Sequence, residues 1–202
     1  MSIARFYPIV DSAAWVARLA PAGARLIQLR IKDRDEAAIL AEVRAALAAA
    51  AAAGAQLVVN DHWRAAIEAG ADFVHLGQED LDGADVAAIR ARGIRLGVST
   101  HDHAELDRAL GTDPDYVALG PIYPTTLKVM RFGPQGLERI GEWRRLVGRR
   151  PLVAIGGITL ERGPLCLAAG ADCVSVVSDV TGHADPEART RAWVATVEQA
   201  GP

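Results

Sequence analysis

Short runs rich in β-branched and aromatic residues alternate along this chain with longer stretches rich in Ala, Leu, Glu and Arg. Apolar runs of that kind predict strands at 5–10, 25–29, 56–60, 73–76, 95–98, 116–119, 152–155 and 173–177. The intervening stretches predict helices at 12–19, 34–53, 62–69, 84–91, 103–110, 136–146, 160–169 and 186–200. Runs such as Leu152-Val153-Ala154-Ile155 are apolar on both faces, as a parallel sheet covered on both sides requires. Eight strand–helix units in succession predict an α/β fold, a single (β/α)8 TIM barrel rather than an open doubly wound sheet. No G-x-G-x-x-G follows the first strand to support the dinucleotide-binding alternative.

One phrase recurs at the helix-to-strand junctions. Ala-Gly-Ala followed by a polar residue stands at 22–25, 53–56, 69–72 and 169–172. Its glycine suits the position just past a helix C-terminus, so the phrase marks the turns at one end of the molecule. No linker or charge block interrupts the pattern, and residues 1–202 are expected to form one domain.

Composition narrows the picture. Half of the 202 residues are apolar and the formal charge is −3, so the chain can bury a core. That balance gives no reason to expect nucleic acid or an anionic membrane as partner. The longest apolar run, 45–53, is alanine-dominated and too short to span a bilayer, and 1–10 lacks the apolar stretch of a secretory leader. A cytoplasmic protein is expected. Cys166 and Cys173 match no zinc spacing and read as small buried hydrophobes. Trp15, Trp63, Trp143 and Trp193 fall on predicted helices and read as packing against the sheet.

Only two of the 22 basic residues are lysines, Lys32 and Lys128, and Asn60 is the sole asparagine. All three fall at the C-terminal ends of predicted strands, the end of a barrel that carries chemistry. Alternation puts Gln28, Arg30 and Lys32 on one face of the second strand and Leu29 and Ile31 on the other. Asp61 and Asp80 follow neighbouring strands, near enough to share one cation; oxygen ligands without a His/Cys cluster point to Mg2+. Asp61 is equally a plausible N-cap for the helix beginning at His62, and Asp80 a plausible loop acid. Gly156-Gly157 and Val177-Ser178 end the seventh and eighth strands, where barrels of this type hold a phosphate through backbone N–H groups. His75, within a strand, reads as a hydrogen-bonded core residue or a catalyst, and His101 and His103 as solvent-facing or capping residues. No Ser–His–Asp set is evident. The sum is a barrel with a metal–diphosphate site and a second phosphate site, which implies two phosphorylated small-molecule substrates or one carrying both groups.

At these positions the chain resembles the thiamine-phosphate synthases, in the superfamily they share with the thiazole tautomerases. The resemblance rests on Gln28-Leu29-Arg30-Ile31-Lys32, Val59-Asn60-Asp61, Val74-His75-Leu76-Gly77-Gln78-Glu79-Asp80, Gly97-Val98-Ser99, Gly120-Pro121-Ile122-Tyr123-Pro124-Thr125, Ala154-Ile155-Gly156-Gly157-Ile158 and Val177-Ser178. It implies a transferase that joins a hydroxymethylpyrimidine diphosphate to a thiazole phosphate with loss of pyrophosphate. It further implies Mg2+ on Asp61 and Asp80. The pyrimidine diphosphate would lie on Gln28, Leu29, Arg30, Ile31, Lys32, Asn60, Ser99 and Lys128. The thiazole phosphate would lie on Thr125, Thr126, Leu127, Gly157, Val177 and Ser178. Arg30, Lys32, Ser99 and Lys128 form the implied catalytic set. Two positions depart from the pattern: Leu127 replaces a family threonine and offers no hydroxyl, with the neighbouring Thr126 the candidate to take its place, and Ile31 stands where an acid is common. The alternatives on the same barrel are a thiazole tautomerase and a non-catalytic thiamine-phosphate binder. Tautomerase chemistry is associated with a histidine after the sixth-strand glycine, where this chain has Pro121.

Overall fold

A computed structural model describes residues 3–125 and 132–199. Eight parallel strands pair in chain order and close into a barrel. They are β1 (Phe6–Val10), β2 (Leu26–Leu29), β3 (Gln56–Asn60), β4 (Phe73–Leu76), β5 (Arg95–Thr100), β6 (Tyr116–Leu119), β7 (Leu152–Ile155) and β8 (Cys173–Val176). Pairing of Phe6 with Val174 and Tyr7 with Ser175 seals the first strand to the last. The helices are α1 (Ala13–Leu19), α2 (Glu36–Ala52), α3 (Trp63–Ala69), α4 (Gln78–Gly83), α5 (Val86–Ala91), α6 (His103–Gly111), α7 (Gly136–Leu146), α8 (Gly163–Ala168), α9 (Ser178–Thr181) and α10 (Pro186–Gln199). The barrel expected from the sequence is therefore the fold observed. Two short helices, α4 and α9, are additions to the expected set; each follows a strand directly at the functional end.

Local chemistry sets the element ends. Asp35 caps α2 by accepting from the Ala38 N–H at 2.8 Å, and the alanine-rich helix that follows costs little side-chain entropy. Asp102 caps α6 in the same way through the Glu105 N–H. The glycines of the recurring phrase, Gly23, Gly54, Gly70 and Gly170, all have positive φ, as the turn out of a helix demands.

Strand alternation sorts the apolar residues into two layers. Tyr7, Leu26, Val58, Phe73, Tyr116, Ala118, Val153 and Cys173 fill the barrel interior. Phe6, Val10, Ile27, Leu29, Leu57, Val59, Val74, Leu76, Val98 and Leu119 face outward and pack with helix residues such as Val16, Val43, Trp143 and Trp193. The helix-side layer is the larger, and Phe6 stacks on Trp193 with ring centroids 5.4 Å apart. Cys166 and Cys173 are both buried and free. Among the described residues no helix is long and apolar enough to cross a membrane.

The base of the barrel, where the strands begin, is fastened by polar side chains running from one unit to the next. Arg25 donates to the Ala53 carbonyl at 2.8 Å, Gln56 donates to Asp72 at 2.7 Å, and Arg95 joins both Gln56 and Asp72. Arg90 pairs with Asp115 at 2.6 Å, and Arg150 with Asp113 at 2.5 Å. Asp172 takes Arg144 and, at 2.7 Å, the Leu152 N–H.

Candidate active site

The C-terminal ends of β2 to β5 hold one polar group. The Lys32 ammonium donates to Asp61 Oδ2 at 2.6 Å, with the lysine half exposed and the carboxylate mostly covered. Asp61 has a left-handed backbone at φ 62°. Helix α3 begins only at Trp63, its cap residue is His62, and no side chain caps it. The capping role open to Asp61 in the sequence is thus not the one it takes. Its carboxylate turns instead to Lys32 and to Asp80, with which it shares a hydrogen bond. Asp80 is not a loop acid either, since it sits in the first turn of α4.

The two carboxyls titrate apart. Burial pushes Asp61 upward, but hydrogen bonds from Lys32 and Asp80 and the Lys32 charge outweigh it, leaving Asp61 below the usual carboxylate range. Burial, the Asp61 charge and the hydrogen bond with Asp61 push Asp80 above that range. As pH falls, Asp80 is therefore the first of the two to take up a proton.

The remaining predicted residues distribute as alternation requires. Gln28 and Asn60 are buried on the inner face, whereas Arg30 and Lys32 are exposed on the rim. Leu29 and Ile31 bury their side chains in the helix-side layer, so any ligand meets only their backbone. The Ile31 carbonyl lies 3.1 Å from His62 Nε2. Ser99 is half-buried on β5, its carbonyl accepting from Gln78 Nε2 at 2.7 Å. Behind it His75 is buried and held neutral, its pKa lowered to about 4 by burial against the opposing pull of Asp61. His101 bonds to Glu105 at 2.6 Å and stacks on Phe132, and His103 bonds to Glu142 at 2.7 Å.

A second group lies where β7 and β8 end. Gly157 is required by space: a Cβ there would lie 2.4 Å from the Pro124 carbonyl oxygen and 2.9 Å from Tyr123 Cβ. The glycine turn therefore docks the segment after β6, which brings Thr125 to this side of the mouth. Val177 and Ser178 open α9, whose first bonds run from the Val180 and Thr181 N–H groups to the Val177 carbonyl. The N–H groups of Ser178 and Asp179 find no acceptor inside so short a turn. Asp179 faces the other way, accepting from Arg189 Nε and Nη2 at 2.9 Å each and from Trp193 Nε1 at 2.6 Å, and so pins α9 to α10. Thr126, Leu127 and Lys128 lie outside the described residues.

The sequence reading gave no site role to Tyr7, Tyr116 or Gln78, all of which bond to predicted site residues or to their partners. Strand parity was the available signal for the tyrosines, since it points both phenols inward, where each must find a partner.

The fold and the site together define a (β/α)8-barrel protein with its paired acids, a lysine and a tightly packed glycine turn at the C-terminal ends of its strands. The sequence profile described as thiamine monophosphate synthase matches residues 6–180. The chain is 61% identical over 195 residues to the thiamine-phosphate synthase of Rhizobium etli, covering 96% of each. It is 49% identical over 191 residues to that of Neisseria meningitidis serogroup A, covering 95% of this chain and 93% of that one. The solved thiamine phosphate pyrophosphorylase from Pyrococcus furiosus superposes with a TM-score of 0.88 at 26% identity, covering 98% of each chain. A 3-hexulose-6-phosphate synthase shares the fold alone, with a TM-score of 0.68 at 19% identity. The chain belongs to the thiamine monophosphate synthase family.

Proposed function

We propose that the chain condenses 4-amino-2-methyl-5-hydroxymethylpyrimidine diphosphate with 4-methyl-5-hydroxyethylthiazole phosphate, releasing thiamine phosphate and pyrophosphate. The observation that carries this reading is the Asp61–Asp80 carboxyl pair beside the Lys32 ammonium at the barrel mouth. Paired carboxyls with a cation at hand are the equipment for a metal-bound diphosphate. Among the described residues no cluster of three or more His, Cys, Asp or Glu offers an all-protein metal cage. Two hard oxygen donors suit Mg2+, which commonly takes one or two carboxylates and fills its shell with water and substrate phosphate. Asp61 and Asp80 would hold it, and bound there it supplies positive charge against the diphosphate oxygens.

The rest of the chemistry belongs to the chain's own side chains. Arg30, Lys32 and Lys128 neutralise the diphosphate as the bond from the pyrimidine methylene carbon to oxygen breaks and its electron pair leaves on oxygen. Gln28, Asn60 and Ser99 orient the pyrimidine. Thr125, Thr126, Leu127, Gly157, Val177 and Ser178 hold the thiazole phosphate. The thiazole nitrogen is thereby kept near the electron-poor carbon, and its lone pair forms the new C–N bond. That nitrogen carries no proton, so no general base is required. We further propose that residues 1–202 act as one domain in the cytoplasm, in keeping with two free buried thiols.

The test is direct: purified protein, the two substrates and Mg2+, with thiamine phosphate and pyrophosphate quantified. Equal amounts of both products are expected, with Asp80→Asn requiring more Mg2+ for half-maximal rate. Folded protein that forms neither product refutes the proposal.

A further inference from the structure

A row of polar atoms crosses the barrel interior and ends at the mouth. Gln28 Nε2 donates to the Tyr7 hydroxyl at 2.9 Å, and the Tyr7 and Tyr116 hydroxyls lie 3.1 Å apart. The Tyr116 hydroxyl lies 2.7 Å from His75 Nδ1, and His75 Nε2 lies 2.8 Å from Ser99 Oγ. Every member but Ser99 is buried. The row is built with care for space. Gly97 makes room for the Tyr116 ring, since a Cβ there would sit 2.1 Å from Tyr116 Cζ. That ring stacks on His75 at an interplanar angle of 14° and meets Tyr7 edge-on at 90°.

Each hydroxyl has one proton to give, which fixes a direction. Gln28 occupies an acceptor site of Tyr7, so the Tyr7 proton points to Tyr116 and the Tyr116 proton to His75 Nδ1. A neutral imidazole accepting at Nδ1 carries its proton on Nε2 and gives it to Ser99 Oγ. Run the other way, the row would bring two donors to Tyr7 and leave the Tyr7 proton without an acceptor in the row, an arrangement folded proteins avoid. The Ser99 proton is then the one not used within the row.

We infer that this row makes Ser99 a dedicated hydrogen-bond donor to an acceptor atom of the pyrimidine diphosphate, a ring nitrogen or a phosphoryl oxygen, with Tyr7, Tyr116 and His75 as positioning residues. The inference rests on reading this arc of the mouth as the pyrimidine diphosphate site.

Two measurements test it. Long-range proton–nitrogen NMR of isotope-labelled protein at neutral pH, with the His75 signal assigned by its loss in His75→Gln, reads the tautomer directly. The expected form carries the proton on Nε2, and Tyr116→Phe introduces the Nδ1-protonated form. A His75 already protonated on Nδ1 in the native chain overturns the inference, as does a tautomer that Tyr116→Phe leaves unchanged. In steady-state assays Tyr116→Phe raises KM for the pyrimidine diphosphate about three- to tenfold, the reach of one misdirected neutral hydrogen bond, and leaves KM for the thiazole phosphate unchanged. An equal rise in both overturns it. Absence of turnover in the native chain refutes the proposed reaction instead, while the tautomer still decides the direction of the row.

Discussion

Asp179 tests whether α9, the turn that opens with Ser178, is held by the helix behind it. Its carboxylate accepts twice from Arg189 and once from the Trp193 indole, and the Asp179 and Arg189 side chains are only 11% and 18% exposed. Asp179→Ala leaves a guanidinium and an indole N–H without their acceptor where water has little access. Removing one partner of a buried charge pair costs about 3–5 kcal/mol. The residual exposure of Arg189 lets it regain some hydration, which places the expected loss near the lower end, about 3 kcal/mol. At about 2–4 °C per kcal/mol for a domain of this size, Tm falls by about 6–12 °C in a calorimetric scan. Helix α10 also supplies the comparison. Arg18 and Glu187 pair at 2.6 Å but are 45% and 32% exposed, so water replaces the lost partner and Glu187→Ala leaves Tm essentially unmoved. The Asp179→Ala enzyme, assayed well below its Tm, shows a raised KM for the thiazole phosphate and an unchanged KM for the pyrimidine diphosphate. Equal Tm shifts for the two variants, or a KM effect on the wrong substrate, would refute the reasoning.

Two further outcomes follow from the site and the core. Lys32→Arg keeps the charge but exchanges a compact ammonium, seated 2.6 Å from Asp61, for a planar fork, so kcat/KM falls by about tenfold or more; native activity in that variant would sink the argument for lysine. Burial pushes the Cys166 thiol up to about 12 and raises Cys173 as well, so a thiol-specific reagent at about pH 8 labels neither in the native protein and both after denaturation. Rapid labelling of either native thiol contradicts the burial described.

The barrel was legible because a parallel sheet covered on both sides writes each strand as a short apolar run between helical stretches. Parity along β2 separated Arg30 and Lys32 from Leu29 and Ile31 correctly. What escaped was short or distant. Helices α4 and α9 have six and four residues, too few for a 3.6-residue period to emerge. Asp61 could not be separated from an N-cap until its left-handed backbone and its lysine partner were seen. The Tyr7–Tyr116 contact joins residues 109 positions apart, and only closure of the barrel brings them together. The end of the second α-helix was expected at 53 and is found at Ala52, a difference of the size that fraying produces.

The belt at the base of the barrel also divides the molecule's labour. Arg25, Gln56, Asp72, Arg95, Arg144 and Asp172 join successive units at the end opposite the acids and cations of the mouth. Loops on the working rim can therefore vary in length and sequence without unpicking these joints. Apart from clamps such as Asp179 on Arg189, which hold the rim itself, a substitution at the mouth can change what is bound while the base keeps the strands joined.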